Sequence, residues 1–136
     1  MMTDLDSDEL FQTIDDGHNI FTFLTQKGHL LVTPCVDLLM QNSKDFYTEI
    51  SEKVESHQVK LITIDFNEVN FVDSSGAGAI IRVANTIRLK GMDLFVVNLN
   101  KNLSSVFRLS GFPRLMKICT YEEYIALFPE MKSVIK

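Results

Sequence analysis

The sequence predicts an α/β fold, a single domain built on one mixed, largely parallel β-sheet with helices packed against it. Three observations carry that prediction. A chain of 136 residues fits one ordinary domain, whose usual size is roughly 100–150 residues. Hydrophobic residues at 46% and charged residues at 23% are the balance of a soluble globular protein with a real core. Finally, short apolar, β-branched segments alternate with segments of helical periodicity, which is the pattern of strand–helix–strand units.

Residues 19–25 mix β-branched and aromatic side chains as a strand does. Residues 26–28 read as a turn, and residues 29–33 as a second strand ending before Pro34, so the pair forms a hairpin. Ser43 is placed to cap a helix over residues 43–56, with Phe46, Ile50, Lys53 and Val54 at i, i+4, i+7 and i+8. Lys53 is polar and is expected at the edge of that stripe. Residues 59–66 are mostly apolar and β-branched, the mark of a central strand covered on both faces. A second helix is predicted over residues 75–90, with Ala77, Ile80, Ile81, Ala84 and Ile87 on one stripe and Gly91 ending it. A buried strand follows at 93–98, then a short helix at 102–109 ended by Gly111 and Pro113. A last strand at 116–119 and a last helix at 120–128 complete the order, with Thr120 and Glu123 spaced as a capping box.

Charge divides the chain. The net charge is −5, and Asp4, Asp6, Asp8, Glu9, Asp15 and Asp16 supply six of the 18 acids, while no Lys or Arg precedes Lys27. The remaining 12 acids face 13 bases, so the body is near neutral and offers no clustered basic face for a phosphate backbone. Residues 1–16 read as a flexible acidic lead-in, 17–130 as the domain and 131–136 as a short tail. The first ten residues carry four acids and no base, the opposite of a secretory start. No run of about 18 apolar residues is present to span a membrane. Cys35 and Cys119 form no CxxC or His/Cys cluster, so they are read as reduced and mostly buried thiols of a cytoplasmic protein, with no metal and no cofactor expected.

Polar and glycine residues concentrate between a buried strand and a buried helix at one place, Asp73-Ser74-Ser75-Gly76-Ala77-Gly78. A Walker A loop needs a Gly-Lys-[Ser/Thr] that the chain lacks. A dinucleotide fingerprint needs glycine where Ile81 stands. A nucleophile elbow needs glycine two residues before its serine, where Val72 and Asp73 stand. His18, His29 and His57 fall on the hairpin or after the first helix, away from this loop, so an enzyme is not expected. Asp65 near the end of a strand invites comparison with a phosphate-receiving aspartate, but Asp15-Asp16 precede the first strand where a receiver's acids would follow it.

A serine at a helix N-terminus sits beside unpaired backbone N–H groups and the positive end of the helix dipole. A phosphate there adds about −1.5 to −2 charges at pH 7, and next to Asp73 it would turn a neutral binding face into a repulsive one. The simpler reading of the same residues is an ordinary N-cap, with glycines that let the helix pack closely.

From about residue 19 to residue 128 the sequence resembles the STAS domain family, in particular small stand-alone anti-sigma factor antagonists. The resemblance rests on the strand 61–66, on residues 69–79 with their Asp-Ser-Ser-Gly-x-Gly loop, on the glycine-led strand 90–98, and on the helix 106–112 closing on Gly111. It implies a switch. Ser74 would be phosphorylated by an anti-sigma factor that is also a serine kinase with a GHKL-type ATP site. The unmodified protein would bind that partner, the phosphorylated one would release it, and a PP2C-type phosphatase would reset it. Asp73 would cap or orient the loop, and Ser75 and Gly76 would shape it. Gly78, Arg82 and Asn85 follow at helical spacing and are expected on the partner surface. Two rivals stand beside this: a STAS scaffold or transporter-associated subunit whose Ser74 is never modified, and a small phosphate- or nucleotide-binding protein using the Gly76-Ala77-Gly78 turn. The link 34–42 is longer and more apolar than the family pattern, and an edge strand, an early helix and a homodimer contact are all open readings of it.

Overall fold

The structure is a computed structural model and describes residues 12–14 and 20–135. Strands β1 (Gln12–Ile14), β2 (Phe21–Gln26) and β3 (His29–Pro34) precede helix α1 (Met40–Ser56). Then follow β4 (Leu61–Asp65), α2 (Ser74–Leu89), β5 (Asp93–Val97), α3 (Lys101–Leu109), β6 (Lys117–Cys119) and α4 (Tyr121–Leu127), with 3₁₀ turns at Phe112–Arg114 and Pro129–Ser133. The described residues form one six-stranded sheet in the order β1-β2-β3-β4-β5-β6. The first three strands pair antiparallel and the last four parallel, with Leu30 opposite Ile62 and Ile62 opposite Leu94.

Sequential strand order has a consequence for layering. Right-handed crossovers that always step the same way place every crossover helix on the same face of the sheet. Leu30, Val32, Ile62, Ile64, Leu94 and Val96 therefore meet α1, α2 and α3 in the larger core. The intervening residues Leu31, Phe95 and Val97 point to the opposite face, where Tyr124, Met131 and Ile135 cover them. Strands buried on both faces read as nearly continuous apolar runs, which is why β4 and β5 are legible in the sequence.

Several boundaries differ from the sequence reading. Helix α1 begins at Met40 instead of Ser43, because its first turn is held by groups other than the Ser43 hydroxyl. The Asn42 Oδ1 accepts from the Leu39 N–H at 2.9 Å, while Ser43 Oγ only donates to the Met40 carbonyl at 3.4 Å. Lys53, expected at a stripe's edge, is buried, with its ammonium 4.7 Å from the centre of the Phe23 ring; its long stem and the ring face make that burial tolerable. The buried stripe of α2 is Gly76, Ala79, Ile80, Val83, Ala84 and Ile87, so Ala77 and Ile81 lie at its margin. Strand β1 falls inside the stretch read as the acidic lead-in, whose residues 1–11 and 15–16 lie outside the described ones. Beyond residue 130, read as a short tail, Met131 and Ile135 are core residues. No helix among the described residues is long and apolar enough to cross a membrane.

Candidate functional site

The loop from β4 into α2 is built by two segments that run side by side. Leu38 and Val72 form an isolated parallel bridge; the Leu38 N–H donates to the Phe71 carbonyl at 3.3 Å and the Asp73 N–H to the Leu38 carbonyl at 3.1 Å. The end of the link after β3, Leu38 and Leu39, is thus extended backbone, with Leu38 paired to the loop and α1 following it. The close approach demands glycine at 76. A Cβ there would overlap the Leu38 carbonyl oxygen, a backbone atom with no freedom to move aside.

Asp73 is the N-cap of α2, and its carboxylate does two jobs. Its Oδ1 accepts from the Gly76 N–H at 2.8 Å, and its Oδ2 accepts from the Met40 N–H, the first residue of α1, at 3.0 Å. One side chain therefore satisfies an orphan donor on each of two helices and places one negative charge at two positive dipole ends. Asp37 holds the loop from the other side. Its Oδ1 accepts from the Asn70 and Phe71 N–H groups at 2.8 and 3.1 Å, and its carbonyl accepts from Asn42 Nδ2 at 2.9 Å. Asn100, which caps α3, donates to the Asn70 carbonyl at 3.2 Å. Behind the loop, Asp65 accepts from Asn98 Nδ2 and the Asn67 N–H, each at 3.0 Å. Burial raises its carboxyl above the ordinary aspartate range, partly offset by those two bonds.

Ser74 is the first residue of α2 and is exposed. Among the described residues no side chain bonds its hydroxyl. Ser75 is half-buried, and Gly76 is buried as its contact requires. Gly78 is exposed, and a Cβ there would meet nothing within 4 Å. Arg82 is exposed, with its guanidinium 4.0 Å from the centre of the Tyr47 ring on α1. Asn85 is half-buried and accepts from Arg88 Nη2 at 3.2 Å. The loop residues 73–76 thus come together at the paired helix ends, and the other three run away from them along α2.

Four residues of this region escape the sequence reading: Asp37, Leu38, Met40 and Phe71. Met40 and Phe71 are large apolar side chains with 73% and 57% of their surface exposed, both on segments tied to Asp73. The one signal that points to them is Asp37 standing three residues before Met40, an acid at the entry to an apolar stretch. A firm surface with exposed apolar side chains beside a serine hydroxyl, its two carboxylates engaged by backbone N–H groups, is suited to docking a protein.

Comparison with known proteins agrees with this architecture. The family model described as STAS domain matches residues 21–124. An anti-sigma-B factor antagonist of Listeria monocytogenes is 27% identical over 95 residues, covering 66% of this chain and 83% of the relative. An anti-sigma F factor antagonist of Paenibacillus polymyxa is 25% identical over 108 residues, covering 79% of this chain and 91% of the relative. Among solved structures, the Bacillus cell fate determinant SpoIIAA in its phosphorylated form shares the fold at a TM-score of 0.60 and 20% identity, over 87% of this chain and 98% of that one.

Proposed function

This chain belongs to the STAS domain family, and we propose that within it the protein acts as an anti-sigma factor antagonist, a binding module switched by phosphate on Ser74. The observation that carries the reading is the exposed Ser74 hydroxyl, free of side-chain partners at the first turn of α2, beside a carboxylate already engaged by two helix ends. Relatives named for antagonism of anti-sigma factors support the partner class. The unmodified protein binds an anti-sigma factor that is also a serine kinase of the GHKL type. The Ser74 Oγ attacks the γ-phosphorus of ATP held by that partner; the Oγ–P bond forms, the bond to ADP breaks, and the hydroxyl proton passes to a base on the partner. The protein performs no reaction of its own, and a PP2C-type phosphatase returns it to the binding state in the cytoplasm.

Release follows from charge. A phosphate beside Asp73 adds about −1.5 to −2 charges to a face that already carries the Asp37 and Asp73 carboxylates, and it removes a serine donor from the interface. A loss of about 3 kcal/mol weakens binding roughly 150-fold, enough for a switch. Gly78, Arg82 and Asn85 extend the contact along α2, with the open surface at Gly78 allowing a partner's backbone to approach.

The test is mass spectrometry of the protein from its own cells, with phosphate expected on Ser74 in part of the population. Its companion is Ser74→Asp, which is expected to abolish binding to the anti-sigma factor while melting near wild type. Tight binding by that variant, or Ser74 unmodified under every growth condition, overturns the reading in favour of a scaffold that does not switch.

A further inference from the structure

The two bonds made by Asp73 are unequal. The one to Gly76 is short, at 2.8 Å, and partly buried within the turn it caps. The one to Met40 is longer, at 3.0 Å, exposed, and spans 33 positions of sequence to another helix. A phosphate on Ser74 would sit beside Asp73 and seek the same kind of donor, the free N–H groups at the start of α2. Two anionic groups in that space repel, and of the two Asp73 bonds the one to α1 is the exposed one, which water can replace more readily.

The α1 side of that bond is part of a surface. Met40 is the most exposed large apolar side chain near the loop, at 73%, and Phe71 is fixed two residues before Asp73 by the Asp37 carboxylate. The Phe71 carbonyl accepts from the Leu38 N–H and the Met40 N–H donates to the Asp73 carboxylate, so both segments adjoin Ser74. We propose that Asp73 is a positioning residue that joins Met40 and the first turn of α1 to the Ser74 switch, so that the surface read by the anti-sigma partner spans both helix ends and Met40 changes when Ser74 is modified. The inference rests on the phosphorylation switch proposed above. In it the partner sets an apolar side chain against Met40 and Phe71, and modification both adds charge and loosens one of those two contacts.

Backbone amide NMR on the full chain tests this, with phosphoserine incorporated at position 74 during synthesis so that no kinase is needed. The Met40 amide proton is expected to move upfield on modification, as an N–H that has lost a carboxylate acceptor does, and to return when a phosphatase is added. Glu123, whose N–H is held by the Thr120 hydroxyl at the start of α4 on the other face of the sheet, is the internal reference and stays in place. Asp73→Asn, if it folds, moves Met40 in the same direction without phosphate. A Met40 amide that superimposes in the two states, with changes confined to residues 73–76, overturns the coupling. Because the phosphate is installed directly, this outcome is independent of whether cells ever modify Ser74, which the mass spectrometry decides.

Discussion

Two polar networks tie this fold together, and they differ in their access to water. At the carboxyl ends of β3 and β4, Asp37 and Asp73 fasten the link, the loop and two helix ends, with most of those bonds partly or fully exposed. On the opposite face of the sheet, His29, Thr63 and Tyr124 close a buried triangle. Thr63 Oγ1 lies 2.7 Å from His29 Nε2 and 2.6 Å from the Tyr124 hydroxyl, which lies 3.3 Å from the same His29 nitrogen. That triangle fixes α4 on a small core and is sealed by Phe128, whose ring is centred 5.2 Å from that of His29. Both networks join segments distant in sequence. The sealed one is buried and serves the fold, whereas the open one leaves a serine hydroxyl and two apolar side chains facing outward.

The sealed network is broken most strongly by acid. Burial lowers the His29 pKa from 6.5 to about 4, with Glu130 opposing only in part, and burial likewise pushes the Tyr124 hydroxyl upward. The imidazole is neutral in the fold and protonates more readily once unfolded. Its contribution is therefore complete above pH 6.5 and is lost as pH falls from there towards 4. The fall from 6.5 to about 4 corresponds to about 3 kcal/mol lost once pH is below both values. Urea unfolding at pH 7, 5.5 and 4 is expected to show that decline, and His29→Gln, with nothing to protonate at that position, is expected to lose this part of the slope.

The open network is broken hardest at its tightest contact. Gly76→Val forces a branched side chain into the Leu38 carbonyl, and overpacking of that kind costs about 2–3 kcal/mol. Thermal melting is expected to show the loss, and partner binding to fall with it because Leu38 carries the bridge to the loop. Asp73→Asn is milder. It keeps the shape of the cap but gives up the charge at two helix ends, for about 1–2 kcal/mol by denaturant titration. A change of less than half that figure would mean that water replaces the Met40 bond at little cost.

How much of this the sequence discloses depends on where each cap comes from. Helix α2 is capped from within its own first turn, so Asp73 to Gly76 is a local signature, and the strand–helix alternation, the hairpin and the Thr120–Glu123 box are equally local. Helix α1 has one local device, Asn42 accepting from the Leu39 N–H, but its Met40 N–H is capped by Asp73 across 33 positions, and nothing near residue 40 announces that second cap, so Ser43 looks like the start. Lys53 fails for a related reason. Its burial depends on the Phe23 ring on another strand, and a helical stripe read alone assigns it to the edge. Met40 and Phe71 are invisible as surface features because apolar residues at loop ends are read as core. Their exposure is a property of the two helix ends meeting side by side.

The smallest perturbation separates the two uses of α2 most cleanly. Gly78 sits in the second turn of the helix at an exposed position, and a Cβ there would touch nothing within 4 Å. Packing therefore gives no reason for glycine, and helix propensity argues against it by about 0.8–1 kcal/mol relative to alanine. Gly78→Ala is expected to raise the melting temperature slightly, the reverse of Gly76→Val two residues earlier. If the strip of Gly78, Arg82 and Asn85 belongs to the partner surface, the same variant binds the proposed partner more weakly although it is the more stable protein. A variant that gains stability and binds as well as wild type would confine the interface to the helix ends, leaving Met40, Phe71 and Ser74 to carry recognition without α2's outer face.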